Sequence, residues 1–76
     1  MPFRAVKVIE NSDQTRRLEI VTQDDTLFRF TEYSWHTEDG YSYWLPTHFS
    51  GIYADAGAAE RDAISTFEWL RDLMQS

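Results

Sequence analysis

The dipeptide Asp39-Gly40 lies between two segments rich in aromatic and β-branched residues and predicts a tight β-hairpin. Both central positions of a type I′ turn need positive φ, which Asp and Gly adopt at low cost. With this turn, Trp35 lies directly opposite Trp44 on one face of the hairpin. Two further pairs follow from the same register: His36 with Tyr43, and Ser34 with Leu45.

Residues before and after this turn predict four strands in all, at about 3–9, 16–22, 27–37 and 41–46. Turn residues separate the first three strands, at Asn11–Asp13 and at Asp24–Asp25. Pro46 either ends the fourth strand or places it at a sheet edge, because proline cannot donate to a ladder. The segment 45–53 then predicts a link to the last third of the chain, anchored to the core by Phe49, Ile52 and Tyr53.

The last third of the chain predicts one helix over about residues 56–74, with Asp55 as its N-cap. Apolar residues recur along one stripe of this helix. They are Ala56, Ala59, Ala63, Phe67, Leu70 and Met74. Trp69 lies well away from the stripe.

These elements predict a single α+β domain over residues 1–76, with a ββββα order. Short turns favour a four-stranded antiparallel meander. One C-terminal helix is expected to pack on one face of this sheet. With 76 residues, the chain has room for no second domain.

The register between the second and third strands is predicted from a three-residue loop, 23–25. This loop sets Ile20 opposite Phe28, and Leu18 opposite Phe30. It also brings opposite charges together, pairing Glu19 with Arg29 and Arg16 with Glu32.

Strict alternation then predicts which side chains face the helix: Leu18, Ile20, Phe28, Phe30, His36, Tyr43 and Leu45. Tyr33, Trp35 and Trp44 fall on the other side, together with Glu19 and Arg29. One helix cannot cover both sides of a sheet, so these five residues are the predicted interaction surface. Two other interpretations stay open. A β-bulge near Thr31-Glu32 would send Tyr33 and Trp35 into the core, or the Trp–Trp pair only stabilises a solvated hairpin.

Charge and composition argue against several classes of protein. Seven basic and thirteen acidic residues give a net charge of −6, whereas binding to a phosphate backbone needs clustered Lys and Arg. No apolar run reaches the roughly 20 residues of a membrane span. There is no cysteine and no signal-peptide core at the N-terminus. We therefore expect a cytoplasmic protein that binds neither nucleic acid nor membrane.

Motifs for chemistry are not found in the sequence. His36 and His48 are the only histidines and have no metal-binding spacing. The three glycines form no phosphate-binding fingerprint. We therefore expect a non-enzymatic protein with no metal and no cofactor. The alternative is a small-ligand binder or minor enzyme that uses His36, His48 and nearby carboxylates.

The segment between Thr31 and Glu60 contains seven of the twelve aromatic residues and no Lys or Arg. Such a surface suits a basic protein partner, because arginine stacks on Trp and Tyr rings and carboxylates steer its approach. Alternatively, the negative charge only keeps a small protein soluble. The sequence thus predicts a module that either binds a protein partner, for example a basic one, or self-associates.

Overall fold

The chain forms a four-stranded sheet followed by two helices, and the structure, a computed structural model, describes residues 2–75. The strands are β1 (Arg4–Glu10), β2 (Arg16–Thr22), β3 (Phe28–Glu38) and β4 (Tyr41–Phe49). The helices are α1 (Ala56–Thr66) and α2 (Glu68–Gln75). All neighbouring strands are antiparallel in the order β1-β2-β3-β4, which confirms the predicted α+β class and meander. Within residues 2–75, no helix combines the length and apolar character needed to cross a membrane.

The prediction of one C-terminal helix is wrong, because the helical segment breaks at Phe67. Asp55 caps α1 as predicted, and its side chain accepts a hydrogen bond from the backbone N–H of Ala58 at 2.7 Å. Phe67 itself has extended backbone angles, φ −108° and ψ 119°. In a continuous helix, Trp69 would point about 200° away from Phe67. The break lets both rings pack toward the sheet.

Arg71 of α2 covers the end of α1. Its Nη1 donates hydrogen bonds to the backbone carbonyls of Ile64 and Ser65, at 3.2 and 2.6 Å. Both carbonyls lie in the last turn of α1, where the helix supplies no further N–H donors. The guanidinium therefore stabilises the break between the two helices.

β2 and β3 pair two residues away from the predicted register. Ile20 lies opposite Phe30, and Leu18 lies opposite Glu32. The predicted Ile20–Phe28 and Leu18–Phe30 pairs are therefore wrong. Because side chains alternate with a period of two, a shift of two residues leaves every side chain on its predicted face.

The loop between β2 and β3 explains this shift, since it has five residues, 23–27, instead of three. Asp24 Oδ1 accepts hydrogen bonds from the backbone N–H groups of Thr26 and Leu27, at 3.0 and 3.2 Å. The Thr22 hydroxyl accepts from the N–H of Asp25 and donates to the carbonyl of Leu27. These side-chain bonds stabilise a wider turn than the sequence pattern predicts.

β4 continues three residues past Pro46, so the predicted end of this strand is wrong. Pro46 is tolerated because β4 is an edge strand. Thr47 is an extra residue in the ladder, between the pairs Glu32–His48 and Tyr33–Pro46. This β-bulge lies on β4, whereas β3 keeps a regular ladder with β2. The alternative in which a bulge sends Tyr33 and Trp35 into the core is therefore wrong.

Tyr53 alone confirms the predicted anchoring of the link between β4 and α1. Its backbone exchanges hydrogen bonds of 2.9 and 2.8 Å with Phe28. Its ring stacks on Phe30, with the ring centroids 6.0 Å apart. Phe49 and Ile52, which were also predicted to anchor the link, are exposed.

The core lies between the helices and one side of the sheet. It consists of Leu18, Ile20, Phe30, Ala59, Ala63, Phe67 and Leu70. Met74, predicted to share this stripe, is exposed, because the break at Phe67 changes the phase of the second helix. His36, Tyr43 and Leu45 lie on the helix side of the sheet, but they are exposed.

Candidate interaction surface

The side of the sheet opposite the core, which we call the open face, has neither helix packed against it. The strand ladders place four groups of residues there. They are Ala5, Val8 and Glu10 on β1; Arg17, Glu19 and Val21 on β2; Arg29, Thr31, Tyr33, Trp35 and Thr37 on β3; and Ser42, Trp44, Pro46 and Phe49 on β4. The open face thus combines large apolar side chains with a few charges.

Trp35 and Trp44 form a cross-strand pair at one end of the open face, in the predicted register. Their ring centroids are 5.1 Å apart, with planes at 68°, an edge-to-face geometry. The turn that sets this register has positive φ at both residues, 50° at Asp39 and 84° at Gly40. Trp35 is 45% exposed, so this large apolar side chain meets solvent in the isolated chain.

Arg17 lies beside the tryptophan pair, with its Cζ 5.7 Å from the centroid of the Trp44 ring. Its Nε donates to Glu19 Oε2 at 2.9 Å. Its Nη1 donates to Glu10 Oε2 at 3.0 Å. The chain therefore supplies its own cation to an aromatic ring of the open face, and this cation pairs with two carboxylates.

An open concavity adjoins the tryptophan pair. Its lining combines both indole rings with the end of β1 and the turn that follows. The lining residues are Glu10, Asp13, Gln14, Trp35 and Trp44. Asp13 accepts a hydrogen bond of 2.7 Å from the Thr15 hydroxyl, and Gln14 has a φ of 58°. This turn thus gives the aromatic end of the open face an acidic rim.

Tyr33 lies between the tryptophan end and the middle of the open face, opposite Arg17. Burial raises the pKa of its hydroxyl above the usual range, and the Glu19 carboxylate raises it further, while Arg17 opposes both effects. Tyr33 is half-buried, so its neighbours hold the ring in place on the face.

Glu19 and Arg29 share the open face as predicted, but their predicted pairing is wrong. Glu19 lies opposite Thr31, and it binds Arg17. Arg29 lies opposite Val21. It stands six residues along β3 from Trp35, which corresponds to roughly 20 Å. Of the five predicted surface residues, Arg29 alone is remote from the tryptophan pair.

The far end of the open face carries a second aromatic–cation contact. The Cζ of Arg29 lies 4.6 Å from the centroid of the Phe3 ring. Phe3 and Arg29 also line a small cavity of about 70 Å³ together with Leu27, Phe28 and Ile52. Both arginines of the open face therefore lie against aromatic rings of their own chain.

Arg17, Val8 and Phe49 are among the residues of the open face that sequence reasoning did not identify. Arg17 was not identified because its contacts depend on the register between β1 and β2, which alternation alone leaves open. The Glu10–Arg17 pair of opposite charges was the available signal. Val8 belongs to the same ladder. Phe49 was missed because β4 was predicted to end at Pro46.

The two histidines lie apart and in different environments. His48 stacks on Phe30, with the ring centroids 5.9 Å apart. His36 packs against Tyr43, and its Nε2 is 3.8 Å from Glu38 Oε2. Among residues 2–75, no group of three or more His, Cys, Asp or Glu side chains is arranged to hold a metal ion.

Comparisons of the chain with protein-family models, with curated proteins and with solved structures found no match.

Proposed function

We propose that this protein is a non-enzymatic interaction module and that the open face is its contact surface. The observation that carries this proposal is the Trp35–Trp44 pair, which lies on the side of the sheet that neither helix covers. Trp and Tyr dominate the binding energy of protein interfaces. Exposed apolar patches of this kind mark interaction sites.

The contact residues proposed are Tyr33, Trp35 and Trp44, with Glu19 and Arg17 beside them. The core that stabilises the fold lies on the other side of the sheet, so these rings are available for contacts outside the chain. The partner class is a protein, either a basic one or a second copy of this chain. Arg29 belongs to the same face, but it lies at the end opposite the tryptophan pair.

The first test compares the stability of alanine variants at a low protein concentration. Trp35→Ala and Trp44→Ala each lose an edge-to-face contact of about 0.5–1.5 kcal/mol and the buried part of a partly exposed ring, and we expect each to lower the free energy of unfolding by less than the core control does. Phe67→Ala is the matched aromatic control from the core, with an expected loss of about 3–5 kcal/mol. Urea unfolding followed by circular dichroism measures all three. If both tryptophan variants lose as much stability as Phe67→Ala, these residues belong to the fold and the proposal fails.

The second test measures the exposure of each indole directly. With 5-fluorotryptophan incorporated, the ¹⁹F resonances of Trp35 and Trp69 can be compared in H₂O and D₂O in the dilute protein. We expect a solvent-isotope shift for Trp35, and a smaller one for Trp69, which packs against the core. Equal protection of both indoles in a monomeric sample would contradict an open contact surface.

A further inference from the structure

We infer that the occupant of the open face is a second copy of this chain, packed sheet against sheet. This inference rests on the proposed function, because it takes the open face to be a contact surface. It goes further by choosing self-association over a basic partner. Three features of the structure support that choice: the charge of the face, its size, and the state of the sheet edges.

The charges on the open face cancel. The strand ladders place four charged residues there, Arg17, Arg29, Glu10 and Glu19. Two bases and two acids give a net charge of zero, whereas the whole chain has −6. The excess negative charge therefore lies outside the ladder positions of this face. Two copies can meet face to face without net repulsion at the contact itself.

Contacts within the chain already satisfy the features that would attract a basic partner. Arg17 lies against the Trp44 ring and binds both Glu10 and Glu19. A partner arginine would have to displace Arg17 from these carboxylates. The concavity has two acidic residues in its lining. Glu10 binds Arg17, whereas Asp13 accepts a hydrogen bond from Thr15. Charge complementarity thus favours a neutral apolar occupant over a cationic one.

The apolar residues of the open face extend over its whole length. Trp35 lies at one end, Val8 near the middle and Phe3 at the other end, and all three are exposed. Phe49, 70% exposed, adds a large ring on the outer strand. Four strands of this length present a plane of roughly 500–700 Å², before the relief of the side chains is counted. Standard interfaces bury from about 600 Å² per partner upward, so the face reaches the lower end of the range for a stable dimer.

The edges of the sheet are poorly suited to association by strand pairing. β4 carries Pro46 and the bulge at Thr47. β1 has an irregularity between Ala5 and Lys7. Prolines, bulges and lysines are devices that prevent edge-to-edge pairing. A second copy is therefore expected to pack on the face, as in a β-sandwich with two layers about 10 Å apart.

Sedimentation equilibrium from micromolar to millimolar concentration tests this inference. We expect the mass to rise from 9.0 kDa to twice that value. Because each copy carries −6, salt screens their repulsion, and the dimer should tighten between roughly 50 and 500 mM NaCl. Binding of a basic partner would weaken over the same range. A chain that stays monomeric at every concentration and salt level overturns the inference.

Two glutamate substitutions on β4 identify the surface involved. Phe49→Glu puts a charge on the open face, and we expect it to weaken the dimer at least about tenfold. Tyr41→Glu is the matched control, because Tyr41 is 74% exposed on the same strand but pairs with Glu38 on the helix side. We expect Tyr41→Glu to leave the dissociation constant of the dimer unchanged. Equal weakening by both variants contradicts the open-face dimer.

If Phe49→Glu does not fold, a measurement on the unsubstituted chain identifies the surface that forms the dimer. In 5-fluorotryptophan protein, the resonances of Trp35 and Trp44 should shift with concentration, whereas that of Trp69 should not. A dimer that leaves Trp35 and Trp44 unshifted uses another surface and overturns the inference.

Different experimental results would contradict this inference and the proposed function. A monomer whose Trp35 resonance senses solvent, and whose tryptophan variants stay folded, excludes the second copy but keeps an open contact surface for a different protein. A monomer whose tryptophan variants unfold like Phe67→Ala excludes both.

Discussion

The indole Nε1–H of Trp69 donates a hydrogen bond of 2.7 Å to Oε2 of Glu32 and so joins α2 to the middle of β3. The Thr47 hydroxyl donates to the other carboxylate oxygen, also at 2.7 Å. Arg16 Nη1 lies 4.0 Å from Oε2. The Glu32 side chain is 9% exposed, and a buried carboxylate needs such donors. The bulge residue of β4 and the indole of α2 therefore both donate to one buried carboxylate.

Trp69→Phe tests this contact. The substitution keeps most of the ring but removes one donor from the buried Glu32 carboxylate, and we expect a loss of about 1–3 kcal/mol in the free energy of unfolding. Trp35→Phe, at an exposed position, should change it by no more than about 0.5 kcal/mol. Urea unfolding measures both. An equal loss in the two variants would show that the Trp69 hydrogen bond adds no stability.

Gly40→Ala tests the hairpin turn. A Cβ added at Gly40 or at Gly51 would meet no atom within 4 Å, so steric contact does not separate the two sites. Gly40 has a φ of 84°, whereas Gly51 is outside the left-handed region. We expect Gly40→Ala to cost about 1–2 kcal/mol, and Gly51→Ala to stay within about 0.5 kcal/mol. Thermal unfolding of both variants is the measurement. A neutral Gly40→Ala would contradict the type I′ turn.

Tyr53 predicts a loss of stability at alkaline pH. Its hydroxyl donates a hydrogen bond to Asp62, and this bond raises the pKa of Tyr53 from 10.0 to about 12. The native state therefore holds the proton more tightly than the unfolded state. This contribution is fully present below pH 10 and is lost as the pH rises toward 12. Urea unfolding across that range should show a steeper decline for the parent than for Tyr53→Phe. If the free energy of unfolding declines equally in both proteins, the Tyr53–Asp62 hydrogen bond does not cause the loss.

Arg71→Met tests the junction of the two helices. Methionine keeps the apolar stem but removes the donors to the last carbonyls of α1, and we expect a loss of about 1 kcal/mol. Arg61→Met, an exposed position on α1, is the control and should change stability by less than about 0.5 kcal/mol. Hydrogen exchange around Ile64 and Ser65 should also accelerate in Arg71→Met alone. Unchanged exchange would mean that the break does not depend on this side chain.

The local features of the fold followed from short segments of sequence. Asp39-Gly40 determined the Trp35–Trp44 pairing, because the dihedral angles of a two-residue turn leave one register. Asp55 determined the start of α1 through its side-chain cap. The period of two placed Tyr33, Trp35 and Trp44 on one face of the sheet. The predicted register of β2 and β3 was wrong by two residues, but a shift of two leaves each side chain on the same face.

Features that depend on contacts between distant segments did not follow from the sequence. The helical pattern of residues 56–74 shows no break. In the structure Phe67 has an extended backbone, its ring packs on Phe30, and the Trp69 indole binds Glu32. The place of Arg17 beside Trp44 needed the pairing of β1 with β2. The sequence by itself thus determined the meander, its hairpin and the face on which each predicted surface residue lies, because these depend on neighbouring residues and on alternation. Only the tertiary structure decided where the helix breaks and which charges meet on the open face, because those outcomes depend on side chains far apart in the chain.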